Sequence, residues 1–298
     1  MQNDISQNSI SQNSISQNGI SQNKGTKKKI GKKVFGILML LGVVIMACCI
    51  IFCFPKEAKH GNFENGTTES RKSFSKEEVV DVVYVGNSLL QVPGIPEKVE
   101  TYAKNSGYQF ISHSYLLSGG TLAKSLERVE LLDEMKQDLL NADVLVLQEY
   151  GDHYETTYED ICKFVQLCGE DTEVYYYMTE FDYDNVLLKK IAFDERVHLI
   201  PAVAMVEIAT IDMGYEYDQM LKPGDYHPSQ TYAHLCGLFT FSAISGQKCV
   251  DYPLTENDMI LKYMKGETLE EKKAFFEEMY GLVDPMTWYY EEAVKNWE

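Results

Sequence analysis

A serine that follows an apolar run and a glycine is the first residue of this sequence with a setting suited to chemistry. The run Val82–Val85 predicts a buried strand, and Gly86-Asn87-Ser88-Leu89 follows it directly. Glycine permits a tight turn, so the Ser88 hydroxyl can project from the strand end and attack a substrate as a nucleophile. The alternative is that Ser88 caps the helix that follows.

Two consecutive glycines form the second candidate, in Ser118-Gly119-Gly120-Thr121 after a predicted strand at Gln109–Ser114. Because glycine has no side chain, the backbone N–H groups are unshielded just before a helix. Such groups can hold the negative oxygen that develops in acyl transfer. The alternative is an ordinary loop in which Thr121 caps the next helix.

A histidine beside an acid is the third candidate, in Gly224-Asp225-Tyr226-His227-Pro228-Ser229. A carboxylate next to an imidazole can orient it as a general base, although a turn can also hold a purely structural histidine. Among the six histidines, His227 has the most suitable surroundings. Only His153 also has an adjacent acid, Asp152, and it lacks the same turn.

Apolar runs that alternate with helical patterns predict the elements that position these residues. Strands separated by helices run parallel, and unbroken apolar strands indicate a sheet covered on both faces. We therefore expect an α/β fold, a three-layer α/β/α sandwich with a mostly parallel sheet of about five strands. The carboxyl ends of such strands carry the ligand sites, and all three segments fall there. The predicted strands are Val82–Val85, Gln109–Ser114, Val144–Leu147, Val174–Met178 and Val197–Ile200.

Helical patterns occupy the intervals between these strands and continue after the last one. The final stretch, Thr255–Glu298, is charged and aromatic, and we expect it to be helical and to pack on the outside. The other predicted helices are Ile95–Asn105, Leu122–Leu140, Glu159–Leu167, Asn185–Ala192, one from Ala202, and Ser229–Ser245.

Taken in order, the three segments resemble the motif blocks of the SGNH (GDSL-like) hydrolases over about residues 80–247. "VYVGNSL" resembles the first block, with Asn87 where aspartate is usual, while "SGGT" and "GDYHPS" resemble the second and last blocks. The nearest likeness is the branch with GNS in the first block and LQE in the third, here Leu147-Gln148-Glu149. The resemblance implies an SGNH-type, flavodoxin-like fold and a serine esterase. In it Ser88 is the nucleophile, His227 is the base, and the N–H groups of Ser88 and Gly119 hold the oxyanion.

Two positions depart from the family pattern. The usual third block supplies an asparagine to the oxyanion hole, whereas this sequence has Gln148, whose amide N–H could replace it. The triad acid usually lies three residues before the histidine, but here Asp225 lies two before it. Either Asp225 turns to orient His227, or a backbone carbonyl holds the imidazole in a dyad. These departures leave open a non-catalytic, surface-displayed carbohydrate-binding module.

The N-terminal part predicts a membrane anchor. Residues 1–33 consist of a low-complexity ISQNS repeat followed by a lysine cluster, and we expect them to be disordered. Val34–Phe54 contains no charged residue and as a helix would extend ~31 Å, enough to span a bilayer. The preceding lysines favour a cytoplasmic N-terminus. Residues 55–77 are predicted to be a polar stalk and 78–298 an extracytoplasmic hydrolase-like domain. The alternatives are a lipoprotein signal ending at Cys48 and a buried core helix.

Composition narrows the partners. Residues 55–298 carry 44 acidic against 21 basic residues, which argues against a nucleic-acid partner. No spacing of histidines and cysteines suggests zinc, and we expect neither a metal nor a cofactor. We interpret the body cysteines mainly as buried thiols and leave a Cys236–Cys249 disulfide open. The four are Cys162, Cys168, Cys236 and Cys249.

An outward-facing esterase beside a membrane suggests a small acyl ester or an acylated glycan as its substrate. O-acetyl groups on cell-wall or extracellular polysaccharide are the expected target, and an O-acetyltransferase with the same serine is an alternative. Several tyrosines could stack on sugars, although simple packing is the favoured explanation for most of them: Tyr150, Tyr154, Tyr175, Tyr176 and Tyr177.

Overall fold

The computed structural model describes residues 72–149, 154–179 and 185–296, which all belong to one unit, Thr67–Glu298. The predicted tail, the predicted transmembrane segment 34–54 and most of the predicted stalk lie outside the described residues. Within the described ranges, no helix is both long and apolar enough to cross a membrane.

Five parallel strands form the sheet, in the order β2-β1-β3-β4-β5. This arrangement confirms the expected α/β fold, and each predicted strand is present. Strands β1 and β2 extend beyond their predicted bounds because pairing continues into flanking residues. The strands are β1 (Val79–Gly86), β2 (Gln109–Leu116), β3 (Val144–Leu147), β4 (Glu173–Tyr177) and β5 (Val197–Ile200).

Helices cover both faces of the sheet. Helices α2, α7, α8 and most of α9 pack on one face, and α3 to α6 pack on the other. The α-helices are α1 (Ser88–Gln91), α2 (Ile95–Asn105), α3 (Leu122–Val129), α4 (Asp133–Asn141), α5 (Tyr154–Leu167), α6 (Asn185–Ala192), α7 (Ala202–Ile211), α8 (Gln230–Ser245) and α9 (Leu269–Lys295). Short 3₁₀ helices occupy Tyr217–Gln219, Cys249–Asp251 and Met259–Lys262.

Strand β1 contributes side chains to the cores on both faces of the sheet. Val82 and Tyr84 point into the core beneath α2 and α8, while Val83 and Val85 point into the core beneath α3 and α5. All four side chains are 0% exposed. Alternate residues of a strand face opposite sides, so a strand between two helical layers is apolar throughout. The three-layer sandwich follows from that pattern.

The connection after β1 crosses one face of the sheet, and the connection after β2 crosses the opposite face. Helix α2 joins β1 to β2 on one face, and α3 and α4 join β2 to β3 on the other. The order of the strands therefore reverses between β1 and β3. In open parallel sheets such a reversal opens a crevice at the carboxyl ends of the two strands. The loops that contain Ser88 and Gly119 begin at this edge.

Two helical predictions need correction. The pattern over Leu122–Leu140 is interrupted, because α3 ends at Val129 and α4 begins at Asp133. The apolar Leu131 and Leu132 lie between them, and Leu131 is 80% exposed, so they imitate a continuous pattern without packing. Helix α9 does not simply pack outside, since four of its side chains are buried in one core at helical spacing and Val294 is buried in the other. The four are Phe276, Met279, Tyr280 and Val283.

The start of the packed region and the state of the cysteines also differ from the predictions. Phe74, within the predicted stalk, is buried and contacts Phe110 edge to face. Cys236 and Cys249 are separate buried thiols, so the open disulfide is not formed. Their Sγ atoms lie near different carbonyls, and burial raises the pKa of Cys236 to about 12. Cys162 and Cys168 are partly exposed rather than buried.

Candidate active site

The loop after β1 presents Ser88 without using its hydroxyl as a helix cap. Asn87 occupies the cap position, and its Oδ1 accepts a hydrogen bond from the Leu89 N–H at 3.0 Å. Ser88 is therefore the first residue of α1 and is only partly buried. Ser88 is therefore not the capping residue, and its Oγ faces the crevice.

A short hairpin positions His227. Leu221 and Pro228 form an antiparallel bridge, and the Lys222 N–H donates to the His227 carbonyl at 2.8 Å. The hairpin leads directly into α8, whose cap is Ser229. Because α8 packs in the core, the hairpin holds the imidazole against the carboxyl edge of the sheet.

Ser88, His227 and Asp225 form a hydrogen-bonded chain. His227 Nε2 lies 2.9 Å from Ser88 Oγ, and His227 Nδ1 lies 2.7 Å from Asp225 Oδ1. The bond to His227 holds the pKa of Asp225 below its ordinary value, so the carboxylate is ionised at neutral pH. A carboxylate accepts the proton on Nδ1, which leaves Nε2 to accept the Ser88 O–H. This is the protonation pattern that a general base requires.

Asp225 reaches the ring although it precedes His227 by two residues rather than three. The same Oδ1 also accepts the backbone N–H of His227, at 3.2 Å, so the turn brings the carboxylate beside the ring. The Asp225 side chain is 45% exposed and that of His227 is 31% exposed. The acid therefore lies at the protein surface, where water competes for its oxygens.

Two backbone amides are available beside the serine. Within the described ranges, no protein acceptor binds the N–H of Ser88 or the N–H of Gly119. Gly119 has a φ of +63°, which glycine adopts freely, and a Cβ there would meet no atom within 4 Å. Both residues line the same cavity. Free donors beside a nucleophile can bind a developing oxyanion.

Gln148 lies next to the serine loop but not in the cavity wall. Its Oε1 accepts the Asn87 N–H at 3.0 Å, and its side chain is buried beneath the loop. The Nε2 atom is also buried and has no partner within the described ranges. Gln148 is absent from the residues that line the cavity. The structure therefore brings this predicted site residue to the back of the site.

The cavity beside Ser88 measures about 500 Å³, within the usual size of small-molecule sites. Its inner wall is apolar and buried, whereas two tyrosines at its mouth are exposed, Tyr226 at 91% and Tyr217 at 52%. The buried lining residues include Val203, Val206, Met220 and Tyr232.

Sequence reasoning missed these lining residues. A signal for some of them was present, because α7 (AVAMVEIATI) follows β5 immediately and is apolar on nearly every side. A helix of that kind has to be buried all round, and its first turn lies at the carboxyl edge of the sheet. No comparable signal marks Met220 or Tyr232, which reach the cavity only through the hairpin and α8.

The other described histidines are engaged elsewhere. His113 contacts two aspartates, and His198 contacts two glutamates. His234 Nδ1 is hydrogen-bonded to the Tyr102 hydroxyl, and burial lowers the pKa of His234 to about 4, so the ring is neutral at pH 7. None of these three lines the cavity. His153 lies outside the described residues.

The tyrosines of β4 are not available to a sugar. Tyr175, Tyr176 and Tyr177 are 0% exposed and belong to the two cores, so packing explains them. Tyr150 lies outside the described residues, as does the side chain of Tyr154. Exposed aromatic surface near Ser88 comes instead from Tyr217 and Tyr226.

No model of a known protein family matches the sequence. No curated protein matches it either. The solved structures similar to the chain include a DUF4886 family protein from Bacteroides uniformis, at 14% identity and a TM-score of 0.49, covering 69% of this chain and 95% of that one.

Two further solved structures are the lipase Lip_vut3 from a goat rumen metagenome and TesA. The lipase is 11% identical with a TM-score of 0.45, covering 54% of this chain and 96% of its own. TesA is 16% identical with a TM-score of 0.42, covering 54% and 97%. At these identities, the chemistry has to follow from this chain's own residues.

Proposed function

We propose that this chain is a serine ester hydrolase of the SGNH type, with Ser88 as nucleophile, His227 as general base and Asp225 as the acid that orients it. The observation that supports this most strongly is the continuous chain of hydrogen bonds from Ser88 Oγ through the imidazole to the Asp225 carboxylate. Ser88 lies at the start of α1 and the other two side chains lie in the hairpin, so all three meet at the carboxyl edge of the sheet, where a substrate has access.

Acylation begins when the Ser88 oxygen attacks the ester carbonyl. The serine proton moves to His227 Nε2, and the resulting imidazolium is stabilised by Asp225. The tetrahedral intermediate then collapses, its C–O bond to the alcohol breaks, and His227 returns the proton to the leaving alkoxide. The products of this half-reaction are the free alcohol and an acyl group on Ser88.

Deacylation repeats the same proton transfers with water. His227 takes a proton from a water molecule, whose oxygen attacks the acyl carbonyl, and gives it back to Ser88 Oγ as the acid leaves. In both steps the negative oxygen is held by the amides of Ser88 and Gly119. Loss of one such donor typically costs about 10²–10³ in rate, so two donors supply a substantial share of the acceleration.

The cavity supports a small acyl group next to a larger alcohol. Buried Val203, Val206 and Met220 offer an apolar wall for the acyl chain. The exposed rings of Tyr217 and Tyr226 offer amphipathic faces at the mouth. We therefore propose O-acetyl or other small acyl esters of carbohydrate as substrates. The uncharged segment 34–54 would hold the domain at the outer face of a membrane.

An ester panel tests this proposal. Full-length protein in detergent is assayed for acid release from aryl acetate, butyrate and octanoate and from acetylated mono- and oligosaccharides, beside the Ser88→Ala variant. We expect Ser88-dependent release, highest for short acyl groups. A folded protein that hydrolyses no ester contradicts the proposal. Movement of acetyl to an added sugar without acetate release would make the chain a transferase.

Replacement of Asp225 is expected to reduce activity only in part. Asp225→Ala removes the partner of His227 Nδ1, but the site is exposed, so water replaces the lost hydrogen bond. We expect kcat to fall about 10–10²-fold, less than the ~10⁴ seen for a buried triad acid. Steady-state kinetics on an aryl acetate measures it. Asp218→Ala, an equal charge change on an exposed residue, is the control. Wild-type activity in Asp225→Ala would favour the dyad.

A further inference from the structure

Two consecutive buried polar residues contact the segments that carry the free amides of Ser88 and Gly119. Gln148 and Glu149 follow β3 directly and are 1% and 2% exposed. Gln148 Oε1 accepts the Asn87 N–H at 3.0 Å, and Glu149 Oε2 accepts the Leu122 N–H at 2.6 Å. One short segment therefore contacts the backbone of the loop after β1 and the backbone at the start of α3.

Each of these contacts lies close in the chain to a free amide donor. The peptide group that Gln148 holds directly precedes the amide of Ser88. The amide that Glu149 holds belongs to the first residue of α3, and the loop with Gly119 leads into it. A third hydrogen bond joins the two loops, because Asn87 Nδ2 donates to the Gly120 carbonyl at 3.3 Å. These bonds together restrict the separation of the two donors.

Gly86 provides a second, independent sign of the fit at Gln148. A Cβ at position 86 would lie 2.9 Å from Gln148 Oε1 and 3.1 Å from Gln148 Cβ. A Cβ contact of 2.9 Å is shorter than those found in proteins, and one of 3.1 Å is tight, so a side chain at position 86 would push Gln148 away from the Asn87 N–H. Gly86, two residues before Ser88, therefore leaves room for the Gln148 side chain.

The orientation of the Gln148 amide indicates how it acts. Its carbonyl oxygen is bonded to the loop, while Nε2 is buried without a partner in the described ranges and Gln148 is not part of the cavity wall. A buried donor without a partner is destabilising, so Gln148 stabilises the loop through its carbonyl oxygen and not through Nε2. An acceptor that fixes a backbone amide can work without touching the substrate.

We infer that Gln148 and Glu149 are positioning residues that set the distance between the oxyanion donors of Ser88 and Gly119. This inference rests on the proposed esterase function and replaces a direct role of Gln148 as a third donor. Amides held in this way bind the tetrahedral oxyanion better than the planar carbonyl of the substrate. Loosening them therefore lowers kcat and leaves substrate binding nearly unchanged.

The test compares Gln148→Met, which removes the acceptor, with Gln148→Glu, which retains an acceptor oxygen in the same place. On an aryl acetate we expect Gln148→Met to lower kcat about 10–10²-fold at unchanged KM. Gln148→Glu should recover most of that loss. The control is Gln137→Met, the same change on an exposed residue of α4.

A trifluoromethyl ketone matched to the acyl group separates positioning from a general loss of structure. Ser88 adds to this ketone and forms an oxyanion, so its Ki should rise in Gln148→Met by the same factor as kcat falls. If Gln148→Met does not fold, as judged by circular dichroism, Gly86→Ala takes its place. The added Cβ would lie 2.9 Å from Gln148 Oε1 and displace it from the Asn87 N–H, and the same kinetic pattern is expected.

The activities of Gln148→Met and Ser88→Ala distinguish failure of this inference from failure of the proposed function. If Ser88→Ala is inactive while folded Gln148→Met has wild-type kcat and Ki, the positioning role is wrong and the esterase proposal survives. A Gln148→Met variant whose KM rises while kcat holds also contradicts positioning. If Ser88→Ala is as active as wild type, the esterase proposal itself fails.

Discussion

Ser88→Ala is expected to lower kcat/KM for ester hydrolysis by at least about 10⁴-fold. Among the described residues of the cavity, the Ser88 hydroxyl is the one bonded to an imidazole, so no neighbour can replace it as an activated nucleophile. The methyl group of alanine suits the first turn of α1, and Ser88 is only partly buried. Thermal stability should therefore stay close to that of wild type.

The measurement is steady-state hydrolysis of an aryl acetate by purified full-length protein. Ser114→Ala, on the exposed side of β2, is the matched control and should retain full activity. A Ser88→Ala variant that is folded and within tenfold of wild type would exclude a covalent serine mechanism. In that case the cavity would bind its ligand without acyl transfer through Ser88.

His227→Ala is expected to have nearly the same effect, a loss of about 10⁴-fold in kcat/KM, because the serine then lacks its base. Groups that act as a unit are not additive, so the double variant with Ser88→Ala should be no less active than either single variant. The vacated ring position lies at a cavity open to solvent. Added imidazole should therefore restore part of the activity of His227→Ala, but none in the double variant.

The control for the histidine is His113→Gln, since His113 contacts aspartates away from the cavity. Its hydrolysis rate should match that of wild type. An active His227→Ala variant whose rate does not respond to imidazole would contradict the role of His227 as base, whatever the result for Ser88.

The sequence was most informative where a local pattern determines the structure. Apolar runs located β1, β3 and β4, because a strand covered on both faces is mostly apolar. Strands β2 and β5 carry polar residues such as His113 and His198, and their place between helical patterns located them. The glycine and serine spacing located the loop of Ser88, and the acid beside His227 located the loop before α8, although not its hairpin form. These features depend only on a few neighbouring residues, so they can be predicted without knowledge of the tertiary contacts.

Features that depend on distant contacts could not be read in the same way. Whether Asp225 reaches His227 depends on the turn of the hairpin, which the spacing of two residues does not specify. The position of Gln148 depends on the packing of β3 against the loop after β1. The cavity is lined by the loops of Ser88 and Gly119 together with α7 and the hairpin, and these two groups of segments are far apart in the chain. Helix α9 packs in the core through apolar side chains that stand among charged residues in the sequence, so no clear apolar pattern predicted their burial.

The most direct test of the account is covalent labelling of full-length protein with a fluorophosphonate, followed by mass spectrometry of its peptides. An imidazole-activated serine should give a single adduct on Ser88. The adduct should be absent from Ser88→Ala and formed far more slowly in His227→Ala. A folded wild-type protein that stays unlabelled, or that carries its adduct on a different residue, would contradict the activated Ser88 on which the proposed function depends.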